Sequence, residues 1–328
     1  MNEGLLKDII HSNYSLRNVK ITESPQGASN ITKFVLDDDQ KYVLRIYKHS
    51  NKKKVIYEHE VVSKMNSMSL DFSIPDFRLT KTGQSFLQTS DILMAIYPFI
   101  PGQPFQRHNI SSFGKLISKT ISGLKRVTVN SSPQGNPYLE LLHISPDYLS
   151  SFYDTLNKPP FNFSNADVKV FIESIELQIS LISDYEKLPV QLIHGDLTRQ
   201  NVLFNNERNL ATGILDFELA SECYKTLEIA TPLASMLRMK FPEEEDMFIR
   251  IKELITGYKQ YERLSSIEID LLPNLIMLRL LSISLYHIKR FACSTDDNTI
   301  IYYFPFMLAW EEWLSKHSET LKNICLSD

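Results

Sequence analysis

Two acids and an amide stand close together in the stretch QLIHGDLTRQNVLFNNERNLATGILDF, Gln191 to Phe217. The apolar pair Leu192 and Ile193 leads into His194, Gly195 and Asp196, and Asn201 follows five residues after Asp196. The apolar run Val202 to Phe204, turn residues from Asn205 to Leu210, and a second run from Gly213 to Leu215 then end in Asp216 and Phe217, a strand, turn, strand pattern. Phosphoryl transfer asks little covalent work of a protein; it asks that reactants be positioned and phosphate oxygens neutralised. In that chemistry Asp196 orients the attacking hydroxyl and accepts its proton. Asn201 and Asp216 offer a neutral and an anionic oxygen to Mg2+, a hard cation that keeps several waters and takes few protein ligands. Taken singly, an Asp that caps a turn or ends a strand is the plainer reading. The three at these offsets, with strands on both sides, favour the catalytic one.

The segments HGDLTRQNVLF and GILDFELA resemble the aminoglycoside phosphotransferase and choline kinase-like superfamily. These are small-molecule kinases with a protein-kinase-like fold, among them type II homoserine kinase-like and spore-coat kinase-like proteins. The resemblance implies ATP and Mg2+ as cofactors and a small-molecule hydroxyl as acceptor: homoserine-like, an amino alcohol or an aminoglycoside. Three departures from protein kinases are informative. Gly195 stands where a protein kinase has the Arg that reads a phosphorylated activation loop, Glu218 stands third in D-F-G, and no A-P-E segment follows. A constitutive small-molecule kinase is therefore favoured over a phosphorylation-switched one. Within Lys225 to Ala230, Glu228 replaces the Asp that the family often carries in an Asp-Leu-Ala, a departure at the support of the catalytic loop that removes no metal ligand.

Upstream elements must position this stretch. Leu5, Leu6, Ile9 and Ile10 have helical spacing, and strands are expected near Val19 to Thr22, Ile31 to Leu36 and Lys41 to Tyr47. The turn Ser24 to Asn30 lies where a kinase-like lobe covers the nucleotide phosphates, and Gly27, Ala28, Ser29 and Asn30 would let backbone N–H groups approach an anion. With a single Gly, the same turn read alone is an ordinary hairpin. Arg45 lies mid-strand between Leu44 and Ile46, where kinases place the cation that grips the phosphates; the plainer reading sends it to solvent on the strand's polar face. Lys52 to Met68 reads as a helix. Its Glu60 is taken as the carboxylate that pairs with Arg45, on the resemblance of its Glu-then-apolar pattern ahead of Pro75, with Glu58 a rival facing roughly the other side. Strands Phe86 to Gln88 and Ile92 to Tyr97 run into the connector PFIPG, whose prolines and glycine mark a boundary. In the resembled family this hinge offers backbone groups to adenine, here from Tyr97 and Phe99.

The expected architecture is an α+β, bilobal, protein-kinase-like fold. A small antiparallel nucleotide-binding lobe spans residues 1–97, a hinge lies at about 97–102, and a larger, mostly helical catalytic and acceptor-binding lobe spans 98–328. Helical spacing recurs over Phe113 to Val127, from Ser164 and Asn165 to near Leu188, and over Leu271 to Phe291 and Tyr302 to Leu321. His287 and Arg279 could meet an anionic substrate or serve structure alone. The acidic FPEEED, Phe241 to Asp246, reads as a solvated helix start, with attraction of a cationic substrate as its functional alternative.

Composition sets bounds. A chain of 328 residues, 43% hydrophobic and 23% charged, is long enough for two cored lobes. A net charge of -4 with no basic block beyond Lys52 to Lys54 gives no support to nucleic-acid binding. Cys223, Cys293 and Cys325 are odd in number and widely spaced, forming neither a metal pattern nor a disulfide framework. With no signal peptide and no apolar window of about eighteen residues, no membrane partner is expected and the cytoplasm, where ATP is available, is the expected location, as a monomer or homodimer. A nucleotide-binding pseudokinase serving as an interaction module is the alternative; the acceptor-side Asp196 argues against it, since a pure binder has no need of it.

Overall fold

The computed structural model describes residues 3–24, 30–49, 51–90, 92–132, 135–159, 161–235, 244–293 and 299–327. Helix α1 (Glu3–Asn13) precedes strands β1 (Val19–Glu23), β2 (Asn30–Asp37) and β3 (Gln40–Tyr47); helix α2 (Lys52–Asn66) follows, then β4 (Leu87–Gln88) and β5 (Leu93–Pro98). The strands form one antiparallel sheet in the order β1-β2-β3-β5-β4. Alternation divides its faces. Leu44, Ile46, Met94 and Ile96 pack with Leu6 and Ile10 of α1 and with Tyr14 just after it. Tyr47, Leu93, Ala95 and Tyr97 pack on the other face with Val55 of α2. Arg45, paired in register with Ala95, belongs to that second face and therefore looks away from α1 rather than into solvent.

Past Pro98 the chain is mostly helical: α3 (Ile110–Leu124), α4 (Pro137–Leu142), α5 (Pro146–Leu156), α6 (Asn165–Ser180) and α7 (Ile182–Tyr185) lead to β6 (Val190–Ile193), β7 (Val202–Asn205), β8 (Leu210–Ile214) and β9 (Ser221–Tyr224). Helices α8 (Leu227–Ser235), α9 (Glu244–Tyr258), α10 (Ser266–Cys293) and α11 (Ile300–Leu326) complete it. Strands β7 and β8 form the hairpin expected between Asn201 and Asp216, and β6 pairs with β9. Ser164 caps α6 as expected, accepting from the Asp167 N–H at 3.1 Å. The helix does not run unbroken to Leu188: Leu181 (φ -90°, ψ 3°) interrupts it, and α7 turns Tyr185 inward, where its hydroxyl donates to Gln178 Oε1 at 2.5 Å.

The expectation of no long apolar window is corrected by α10, which over Ser266–Arg290 is long and apolar enough to cross a membrane by length and composition. Of that window 83% is buried within the protein, against α4, α6, α8 and α11, which is the surrounding of a core helix. Helix α2 is shared between lobes. Its Tyr57, Val61, Val62 and Met65 lie in the same apolar core as Ile117, Ile121 and Leu124 of α3.

Helices α3 and α9 approach closely because two glycines face across them. A Cβ on Gly114 would collide with the Leu254 carbonyl oxygen, and one on Gly257 with the Ser111 carbonyl oxygen. Backbone cannot yield as a flexible side chain can, so Gly114→Ala is expected to lower stability by about 1–3 kcal/mol, read as a lower urea midpoint with an unchanged slope.

Candidate active site

Strand β6 delivers His194 at its end, and Gly195 then turns the chain with φ +77°. A Cβ there would lie 2.6 Å from the Leu219 carbonyl oxygen, so only glycine fits both the conformation and the space. The loop is held from beneath by Glu228 of α8, which accepts from the N–H groups of His194 and Gly195. Glu228 thus supports the loop that the family's Asp supports by resemblance. Burial, partly opposed by those two N–H groups, raises its carboxyl to about 8. A neutral carboxyl also suits its second oxygen, which is buried without a partner among the described residues. His194 is pushed down to about 4, chiefly by burial. As neutral imidazole it accepts from the Asp196 N–H at Nδ1 (3.2 Å) and so donates from Nε2 to the Leu215 carbonyl (3.0 Å). One side chain clips the Asp196 loop to the Asp216 loop.

Asp196 and Asn201 meet directly. Asn201 Nδ2 donates to the Asp196 carbonyl at 2.9 Å and to Asp196 Oδ2 at 2.8 Å. With its nitrogen spent on two acceptors, the amide presents Oδ1 as its free oxygen. The Leu215 N–H donates to the Asn201 carbonyl at 2.8 Å, which brings Asp216 alongside. Asp216 adopts φ +65°, a left-handed conformation that Asp tolerates better than most residues. Its side chain keeps 39% exposure, whereas Arg45 and Glu58 are almost fully buried.

Arg45 is gripped by three carboxylates. It donates to Glu58 Oε1 at 2.7 Å, Asp216 Oδ1 at 2.6 Å and Glu218 Oε2 at 2.8 Å. Burial works against its charge, and Asp216 and Glu58 override that, holding the guanidinium well above its ordinary value. Burial raises Glu58 to about 7 against the pull of Arg45. Glu218 is also buried, yet His49, Arg45 and Lys54 more than offset this and keep it well below the usual carboxylate range. Lys54 Nζ donates to Glu218 Oε1 at 2.8 Å, and Asn30 Nδ2 to Glu218 Oε2 at 2.6 Å.

Glu60 does not hold Arg45; Glu58 does. Two helical positions are about 200° apart around the axis, so the two carboxylates face opposite ways. Glu60 instead accepts from the Asn130 N–H (2.6 Å) and from the N–H (3.0 Å) and hydroxyl (2.5 Å) of Ser131. The missed signal is that Glu58 lies on one helical stripe with Val55, Val62 and Met65, all buried, and a carboxylate inside an apolar stripe requires a partner.

Of the expected phosphate turn, Gly27, Ala28 and Ser29 lie outside the described residues. Asn30 opens β2 and faces Glu218, with its own Oδ1 buried and unpartnered among the described residues. At the hinge, the Phe99 N–H is committed to the Lys41 carbonyl at 3.0 Å, because the β3–β5 pairing continues past Pro98, so of the backbone groups expected to serve adenine this N–H is taken. Tyr97 pairs with Val43 in the sheet. Its hydroxyl turns inward to Tyr47 (2.8 Å) and His59 Nε2 (3.0 Å). In the acidic stretch, Phe241, Pro242 and Glu243 lie outside the described residues, and Asp246 is engaged by Arg250 and Arg107.

Arg279 emerges as a site residue. From α10 it reaches Asp196 Oδ1 with one nitrogen and the Tyr138 hydroxyl (2.9 Å) with another, while that hydroxyl donates to the Gly195 carbonyl at 2.6 Å. Burial raises the Asp196 carboxyl and Arg279 opposes it. No cluster of three or more His, Cys, Asp or Glu able to hold a metal occurs among the described residues. The donor set is instead one carboxylate, that of the 39% exposed Asp216, and one amide oxygen, which fits Mg2+ completed by substrate phosphates and water.

At the junction of the sheet lobe and the helical lobe, a buried arginine, two aspartates and an asparagine are thus joined through hydrogen bonds of their side chains and loops. The model of the phosphotransferase enzyme family that includes aminoglycoside kinases matches residues 20–250, and the chain belongs to that family as a small-molecule kinase. A search of the curated proteins finds no significant match. Among solved structures, the chain is similar to a microcompartment-associated aminopropanol kinase (14% identity, TM-score 0.78, covering 97% of this chain and 100% of that one). It is also similar to an amicoumacin kinase solved with AMP-PNP, Ca2+ and Ami (16%, 0.71, 95% and 94%) and to a Plasmodium vivax ethanolamine kinase (16%, 0.61, 92% and 83%). At these identities the likeness is one of fold.

Glu228 yields a pH prediction. Its carboxyl is raised from 4.5 to about 8 on folding, so the folded state retains a proton that the unfolded state has lost between those values. Stability from this group is therefore full below about pH 4.5 and falls as pH rises toward about 8. In Glu228→Gln, which keeps the acceptor oxygen without the titration, urea unfolding is expected to show a shallower decline over that window than the wild type.

Proposed function

We propose that this chain binds Mg·ATP between its lobes and transfers the γ-phosphoryl group to a hydroxyl of a small molecule. The observation that carries this reading is the junction itself: Arg45 of β3 contacts Asp216, whose loop is bonded to that of Asn201, whose amide is bonded to the Asp196 carboxylate. Residues 1–97 then act as the nucleotide lobe, 97–102 as the hinge and 98–328 as the catalytic and acceptor lobe, in the cytoplasm.

Each side chain has a role that its surroundings support. Arg45, held by Glu58 and Glu218, offers positive charge to the phosphate oxygens. Asn201 Oδ1 and Asp216 would hold Mg2+, which when bound supplies charge neutralisation at the phosphates. Asp216 has Oδ1 on Arg45, which leaves its second oxygen for that ion. Asp196 aligns the acceptor hydroxyl and takes its proton; burial makes the carboxylate a better base, while Arg279 keeps it ionised and its orientation fixed. The acceptor class is a homoserine-like compound, an amino alcohol or an aminoglycoside, and Arg279, buried and committed to Asp196 and Tyr138, serves the base rather than the choice among them.

The test is ADP release from Mg·ATP across a panel of small hydroxyl compounds containing all three classes. Asp196→Asn is expected to lower transfer by about 10²–10⁴-fold while nucleotide affinity stays within about twofold. Equal transfer by wild type and Asp196→Asn would remove the assigned proton acceptor.

A further inference from the structure

Helix α2 carries two carboxylates that face opposite ways, and each crosses to a different body. Glu58 holds Arg45 of the sheet. Glu60 takes three hydrogen bonds from Asn130 and Ser131, in the segment that follows α3 of the helical lobe. Val55 and His59 of α2 meet the sheet, while its other buried apolar residues side with the helical lobe. Tyr57, Val61, Val62 and Met65 are buried in that lobe's core, and a Cβ on Gly123 of α3 would lie 3.1 Å from Met65 Cε. The segment after α2 is also joined to β8, with the Ser73 N–H donating to the Thr212 carbonyl at 2.8 Å and the Ile214 N–H to the Ser73 carbonyl at 2.9 Å. Lys119 of α3 is paired with Asp71.

We propose that Glu60 is a positioning residue for nucleotide binding: it fixes α2 against the helical lobe, and through Glu58 that anchoring sets where Arg45 stands in the cleft. Apolar packing is non-directional and leaves a helix free to slide or rotate slightly. Three hydrogen bonds to one carboxylate, two of them from consecutive backbone N–H groups, fix height and rotation together. The phosphate-binding cation is thus tied to the lobe that carries Asp196 and Asp216. This suits a chain with Gly195 at the position where an Arg would read a phosphorylated loop.

The inference rests on the Mg·ATP reading, and a double-mutant cycle separates the two. A fluorescent ATP analogue with Mg2+ is titrated into wild type, Glu60→Ala, Glu58→Gln and the double variant, with amide hydrogen exchange measured on each protein without nucleotide. Glu60→Ala is expected to weaken binding about five- to tenfold in the wild-type background and less than twofold in the Glu58→Gln background, and to raise exchange in both α2 and β3. Equal weakening in both backgrounds, or faster exchange confined to Asn130 and Ser131 with affinity unchanged, overturns the proposal, since a merely structural clamp gives those results. Should Glu58→Gln fail to fold, Arg45→Lys closes the same cycle with the charge retained. A wild type that binds no nucleotide overturns the functional reading, and the exchange of β3 in Glu60→Ala then judges the clamp by itself: faster exchange supports it, unchanged exchange overturns it.

Discussion

A guanidinium taken out of water must find its compensation inside the protein, and Arg45 finds it in three carboxylates from two parts of the chain. Glu58 comes from α2, and Asp216 and Glu218 come from the loop after β8. Removing one partner of such a buried group typically costs about 3–5 kcal/mol, because the remaining charge is left uncompensated. The sheet is therefore drawn onto the helical lobe by a contact that cannot be surrendered cheaply. In the complex proposed above, nucleotide and metal would offer charges of the same kind: phosphates for the cation, an ion for Asp216.

Beneath this junction lies a second layer of polar groups, nearly all buried and nearly all paired. Glu228, His194, Tyr138 and Arg279 come from α8, the end of β6, α4 and α10, and all converge on the backbone or carboxylate between His194 and Asp196. In a low-dielectric interior such groups are costly when unpaired and directional when paired. They give the catalytic loop one geometry. The neutral state of His194 matters here, since an imidazolium could not accept from the Asp196 N–H while donating to Leu215.

How much of this is legible in the chain follows from the range of each interaction. Asp196, Asn201 and Asp216 can be read because a loop and a hairpin fix their offsets, so local spacing encodes their meeting. Strand alternation places Arg45 on a face but cannot name what covers that face. Helical periodicity holds the information that Glu58, within the stripe of Val55, Val62 and Met65, is the inward carboxylate; the pattern borrowed from relatives points to Glu60 and is wrong. Arg279 stands 83 residues from Asp196, and no periodicity links an arginine of a core helix to one carboxylate. The same range makes α10 ambiguous, because its apolar length reads as core or as membrane span until its neighbours are placed. At the hinge, identity is silent in another way, since backbone pairing of Phe99 with Lys41 leaves no mark on side-chain type.

For the cleft to hold Mg·ATP as proposed, Asp216 must take a divalent ion when nucleotide enters. Calorimetric titration of a non-hydrolysable ATP analogue, with and without Mg2+, into wild type and Asp216→Asn tests this directly. Mg2+ is expected to strengthen binding to the wild type by at least about tenfold, roughly 1.4 kcal/mol, and to leave the variant's affinity unchanged. An equal gain from Mg2+ in both proteins would contradict it.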